Sequence, residues 1–242
     1  MERALAAGFT TVSLDLIFGL PGQTEASWAR QLDTAASLGT QHLSCYQLTF
    51  HEGTPFGFRR DRGEMVEMGE EEQARFFHLA HERLAAAGLE AYEVSNFARA
   101  PEHRSRHNQK YWRHVPYLGL GPSAHSFDGE RRWWNVRKMK GWQAKLAQRE
   151  KPIEDSETLE PRQIALEMLM LGLRTVEGVD LERVRQRTGI DLAAPNEGRL
   201  AMLEREGLLR RVGDRLVPTR RGLAVADGLV AGLLASSGGR KS

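Results

Sequence analysis

The sequence predicts an α/β fold in its first half, followed by a helical, winged-helix-like module. Three observations carry that prediction. Thr11 to Phe18 and His42 to Thr49 are β-rich, largely apolar runs that alternate with helical patterns, as in a parallel sheet covered on both faces. Helical patterns then recur at about 161–173, 180–188 and 196–206. Behind them, two short strand patterns flank Gly213-Asp214, a two-residue hairpin turn, and a last apolar helix starts near Thr219.

Taken in order, the first strand ends in Gly19-Leu-Pro-Gly22. A helix from about Glu25 to Leu38 follows, with Thr24 as N-cap and Gly39 as its stop. After the second strand, a helix from about Glu70 to Ala87 is acidic in its first turn and stopped by Gly88. Glu90 to Ser95 reads as a third strand, so the β-α-β-α-β rhythm implies parallel crossovers. Residues 96–135 break the rhythm with His, Arg, Trp, Tyr and Gly. A helix near Lys138 to Arg149 and a polar linker around Lys151 to Thr158 place the domains at 1–150 and 151–242.

The bulk numbers bound the function. The chain has 242 residues, 40% apolar and 27% charged, with a formal net charge of +2. That balance is globular and announces neither a nucleic-acid nor an anionic-membrane partner. No apolar run reaches the ~18 residues of a spanning helix, and Met1-Glu-Arg opens an amphipathic stretch rather than a signal peptide. A single cysteine, Cys45, excludes an internal disulfide framework and fits a reducing cytoplasm. It also excludes a cysteine-ligated zinc or iron–sulfur site built from this sequence alone.

Asp15 interrupts the first strand, and a carboxylate there must be hydrogen-bonded or face a cavity. It either contacts a ligand or holds the Gly19–Gly22 turn. Gln47 alternates with Cys45 and Thr49, so its amide bonds either a ligand on an inward barrel face or neighbouring backbone. The densest chemistry lies in His107-Asn-Gln-Lys-Tyr-Trp112, where His107 pairs with Tyr111 and Asn108 with Trp112 at helical i,i+4 spacing. Histidine binds haem iron and aromatic rings cover a macrocycle, although the same residues can serve as a surface anchor.

Other patterns point elsewhere. His78-Leu-Ala-His81-Glu82 matches neither zinc-helix order and reads as a solvated helix face. Gly119-Leu-Gly-Pro-Ser-Ala124 mimics a nucleotide loop without a strand–turn–helix setting. The helix a winged-helix module would place in a DNA groove carries Glu197, Glu204 and Glu206 against Arg199 and Arg205, so nucleic-acid binding is not expected.

With these residues laid out, the chain resembles the C-terminal two-thirds of HemW-type haem chaperones. These are a branch of the oxygen-independent coproporphyrinogen III oxidase-like radical SAM proteins. The likeness rests on Ser13-Leu-Asp-Leu-Ile-Phe-Gly-Leu-Pro-Gly-Gln23, Tyr46-Gln-Leu-Thr49 with Gly53-Thr-Pro55, Tyr92-Glu-Val-Ser-Asn-Phe97, the His107–Trp112 element and Gly119-Leu-Gly-Pro-Ser-Ala-His-Ser126. It implies the later part of an open, partial (β/α) barrel followed by a helical, winged-helix-like C-terminal domain. It further implies S-adenosylmethionine contacted by Asp15 and held along the Gln47 strand, and haem handled by His107, Asn108, Tyr111 and Trp112. The implied partners are haem and a haem-acceptor protein, in the cytoplasm, without stable membrane insertion.

The departure is the missing C-x3-C-x2-C motif, the ligand set of the family's [4Fe–4S] cluster, together with the glycine-rich segment after it. The chain therefore reads as N-terminally truncated and is not expected to cleave S-adenosylmethionine. Two further functions stay open: oxygen-independent coproporphyrinogen III oxidase in porphyrin biosynthesis, and a winged-helix regulator.

Overall fold

The computed structural model describes residues 1–236 as two compact units, residues 1–104 and 105 onward. In the first unit, helix α1 (Glu2–Ala6) leads into strand β1 (Ser13–Phe18), helix α2 (Glu25–Ser37) and strand β2 (His42–Gln47). Helices α3 (Pro55–Asp61) and α4 (Glu70–Ala86) follow, then the short strands β3 (Glu90–Ala91) and β4 (Asn96–Ala98). The Thr24 hydroxyl caps α2 by accepting from the Ser27 amide, and Ser27 returns the bond, so the expected start is realised.

Packing follows the helical period. Trp28, Leu32 and Ala35 of α2, with Phe76, Ala80 and Leu84 of α4, bury one stripe each against Phe18, Leu43, Cys45 and Phe97 of the sheet. The Trp28 Nε1–H donates to the Phe76 carbonyl at 3.1 Å, so the largest core side chain leaves no orphan donor. His81 also enters this core. Its ring centroid lies 4.3 Å from that of Phe77 and 5.0 Å from that of Phe97. Of the face expected to be solvated, Glu82 is exposed and His78 half-buried, whereas His81 is buried because it turns toward the sheet.

The strand order is β1-β2-β4-β3. β1 and β2 pair in parallel, as expected, with Asp15 opposite Ser44 and Phe18 opposite Gln47. The third pairing differs from expectation: β4 runs antiparallel to both β2 and β3. The Glu93 carboxylate accepts the Ser95 amide at 2.7 Å, and the Tyr92 amide donates to the Asn96 carbonyl. These bonds reverse the chain inside the stretch that reads as one strand. β1 also lies at the edge of its sheet with one face open, leaving Ile17 47% exposed.

The second unit opens with helix α5 (Arg106–Trp112), strands β5 (His125–Phe127) and β6 (Arg131–Asn135), helix α6 (Met139–Ala147) and strand β7 (Ile153–Thr158). β5, β6 and β7 form an antiparallel sheet with a bulge at Trp134/Asn135. The polar stretch read as a linker is therefore a strand. Its Glu157 faces Arg132 across the pair at 2.8 Å, which compensates for its low β-propensity. Residue 150 falls inside this unit.

Helix α7 (Pro161–Gly172), strand β8 (Val179–Asp180), helices α8 (Leu181–Thr188) and α9 (Glu197–Arg205), and strands β9 (Leu209–Val212) and β10 (Arg215–Pro218) come next. Helices α10 (Arg220–Ala224) and α11 (Ala226–Ser236) close the unit. The hairpin turns at Gly213-Asp214 as expected, with Val212 opposite Arg215. A second core joins Met168, Leu169 and Leu173 to Val184, Leu200, Leu203, Leu209 and Leu216.

Candidate functional site

In the first unit, the sheet has an apolar face toward the helices and a polar face away from them. Side chains alternate along a strand and register partners share a face, so Ser13, Asp15, His42, Ser44 and Asn96 lie together on the polar one. His42 is 5% exposed. Its Nδ1 lies 2.7 Å from the Ser13 hydroxyl and its Nε2 2.8 Å from the Tyr92 hydroxyl. Burial lowers the His42 pKa below its ordinary value, nearby His103 adds to that, and Asp15 opposes it. The ring is thus held neutral, with one donor and one acceptor nitrogen each met by a rotatable hydroxyl.

Asp15 stands exposed beside this group, its carboxylate open to a polar ligand. Gln47 ends β2 on the opposite, Cys45-bearing face, so register does not bring Asp15 and Gln47 together. Burial pushes the Cys45 thiol well above its ordinary pKa, which disfavours the thiolate that binds metal. One buried thiol does not fit an iron–sulfur cluster. Among the described residues, no group of three or more His, Cys, Asp and Glu side chains is placed to hold a metal ion.

In the second unit, α5 begins where the Ser105 hydroxyl accepts the Asn108 amide. His107 is exposed, and its ring meets Tyr111 edge-on at 5.0 Å. Tyr111 continues to Tyr117 at 4.7 Å, and Tyr117 to Phe127 at 6.2 Å. Lys110 Nζ stands 5.8 Å over Tyr111. Asn108 and Trp112 occupy the adjoining half-buried face, where the Trp112 Nε1 is buried without a hydrogen-bond partner. An exposed imidazole beside a row of aromatic rings can donate one axial nitrogen to haem iron.

His114 was not singled out as a site residue, yet it is the most constrained histidine of the segment. It adopts a left-handed φ of +48° and is 5% exposed. Its Nε2–H donates to Glu167 at 3.0 Å, and Glu167 also accepts from Arg132 at 3.1 Å. Those two partners, His114 first, hold the Glu167 carboxyl below its ordinary pKa. Burial, with the Tyr111 and Glu167 charges, raises the Tyr117 pKa against the pull of Arg132. His42 was missed as well, although polar alternation in Ser13-x-Asp15 and His42-x-Ser44 carried a signal for that face.

Residues 159–225 match the HemN C-terminal domain. The chain is 38% identical to "Heme chaperone HemW" of Mycobacterium tuberculosis, over 96% of this chain and 57% of that protein. It is 33% identical to "Heme chaperone HemW" of Bacillus subtilis, over 91% of this chain and 58% of that one. It therefore spans a little over half the length of these relatives. Among solved structures, "Coproporphyrinogen III oxidase (HemN) from Escherichia coli is a Radical SAM enzyme" aligns with a TM-score of 0.73. That alignment covers 96% of this chain and 56% of that one at 20% identity, a likeness of fold. Over the length it spans, the chain is similar to haem chaperones of the HemW type, and its C-terminal part to the HemN C-terminal domain.

Proposed function

We propose that this chain is the haem-handling portion of a haem chaperone, with His107 as the axial donor and the Tyr111–Tyr117 rings beside the macrocycle. The observation that carries this reading is His107 itself, an exposed imidazole held edge-on against Tyr111 at 5.0 Å. Haem is the cargo here, passed on to an acceptor protein. The chaperone reading is preferred over porphyrinogen oxidation because the relatives at 33–38% identity carry the chaperone name, whereas the likeness to the oxidase is one of fold.

On this reading the first unit supplies later strands of an open (β/α) barrel, and α7 to α11 form a winged-helix-like module. The parallel β1–β2 pair and the β9–β10 hairpin support those assignments. Asp15 would then face S-adenosylmethionine from the polar side of the sheet. Gln47 would serve from the strand end rather than from the same face. The cytoplasm remains the proposed location; among the described residues no helix is long and apolar enough to cross a membrane.

The test is gel filtration of the chain after incubation with haem. Co-elution of about one haem per chain supports the reading. Elution of the chain free of haem overturns it.

A further inference from the structure

The second unit contains a pocket of about 460 Å³, within the range that accommodates small ligands. Its floor is the face of the β5–β6–β7 sheet that bears Trp133, Asn135 and Ile153. Trp142 and Leu146 of α6 form one wall, and the loop carrying Leu118 and Leu120 forms the other. This is the opposite sheet face from Phe127 and Arg132, because β-strand side chains alternate. The pocket is therefore separate from the His114–Glu167 cluster.

The loop is built to present those leucines. A Cβ at Gly119 would stand 2.1 Å from the His125 carbonyl oxygen, so only glycine fits there. Gly121 and Ser123 both take positive φ, +107° and +59°. The buried Asn135 amide donates to the Gly121 carbonyl at 2.9 Å, and the Ser126 hydroxyl accepts the Gly119 amide at 3.0 Å. Strained backbone and buried polar anchors thus hold Leu118 and Leu120 at 69% and 85% exposure. Such an arrangement works against burial of apolar surface unless something else covers the leucines.

The chemistry of the lining says what that something is. Two indoles and three leucines offer flat and aliphatic surface. The Trp142 Nε1 is buried with no hydrogen-bond partner, a donor left without an acceptor. Arg131 and Lys151 add positive charge. Arg131 donates to the Ser156 hydroxyl at 2.9 Å, and its charge adds to the Glu130 and Arg131 amides in holding the Asp128 carboxyl below its ordinary pKa. Among the described residues neither cation is in an ion pair. The lone acid of the lining, Asp128, already accepts the amides of Glu130 and Arg131 at 3.0 and 2.7 Å.

We infer that this pocket binds a flat, apolar ring compound carrying carboxylate groups, a porphyrin dicarboxylate being the member of that class this chain would meet. Only the choice of ring rests on the haem reading; the pocket and its charge do not depend on His107 or on iron.

The experiment titrates metal-free protoporphyrin into the chain and follows porphyrin fluorescence. Leu120→Asp and Arg131→Gln are compared with His51→Ala, an exposed histidine of the first unit. Leu120 is so exposed that its replacement leaves folding intact, which circular dichroism checks. The expected result is binding to the parent, weakened tenfold or more in Leu120→Asp and Arg131→Gln and unchanged in His51→Ala. Absence of porphyrin binding to the parent, or equal affinity in Leu120→Asp, overturns the pocket even if haem still binds through His107. Porphyrin binding that needs Leu120, together with haem binding indifferent to His107, upholds the pocket and removes the axial role of α5.

Discussion

His114 Nε2 and Glu167 Oε2 lie 3.0 Å apart, joining the end of the α5 segment to helix α7 across 53 residues of sequence. Arg132 reaches the other Glu167 oxygen at 3.1 Å, so one carboxylate ties a loop, a strand and a helix together. The bond is charge-assisted on the acceptor side, and its histidine is buried against Phe127 at a ring distance of 4.7 Å.

Removing the carboxylate leaves the buried His114 donor unmet and Arg132 with Glu157 alone. Glu167→Ala is expected to cost about 2 kcal/mol, read as a lowered urea midpoint, since Glu167 is only partly buried. An unchanged midpoint would mean the cluster is incidental to folding.

The pH dependence of the same pair has a definite sign. Glu167 has a folded pKa below its ordinary 4.5, so its stabilisation is present above about pH 5 and is lost as pH falls through the folded value. Glu167→Gln should flatten the acid limb of stability against pH. An acid limb as steep as the parent's would contradict the assignment.

His42 acts at a higher pH. Its folded pKa lies below the ordinary 6.5, so the unfolded chain takes up the proton first. Stability contributed by the neutral ring is complete above 6.5 and declines as pH falls below it. In His42→Gln, the loss of stability as pH falls below about 6.5 should be smaller than in the parent, as measured by thermal unfolding.

Two packing sites give sharper tests. Trp28→Ala removes the largest core side chain and its bond to the Phe76 carbonyl, and should cost about 3–5 kcal/mol in chemical denaturation. Gly119→Ala places a methyl 2.1 Å from the His125 carbonyl oxygen and should cost on the order of 1–3 kcal/mol. A thermal midpoint equal to the parent's would show that the 118–123 loop relaxes freely.

Elements whose signals are local were legible in the sequence. Thr24 and Gly39 bracket α2, and Gly213-Asp214 turns the hairpin, because caps and tight turns depend on adjacent residues. α3 went unread although Thr54-Pro55 carries both an N-cap and a first-turn proline. The reversal after Ala91 hangs on the Glu93–Ser95 and Tyr92–Asn96 bonds, and β7 is too polar to look like a strand until Arg132 stands opposite Glu157.

The site divides in the same way. The His107–Tyr111 contact follows from i,i+4 spacing on α5. The His114–Glu167–Arg132 cluster depends on tertiary approach, which no local pattern encodes. Alternation alone puts Gln47 on the Cys45 face, but only the parallel register shows that Asp15 lies on the other.

The most direct test of the haem reading is a Soret titration of the chain with ferric haem, run beside His107→Ala and His51→Ala. His51 is a second exposed histidine and controls for adventitious coordination. The account predicts a shifted, saturable Soret band in the parent and in His51→Ala, and its loss or at least a tenfold weaker affinity in His107→Ala. An identical band and affinity in all three proteins would contradict it.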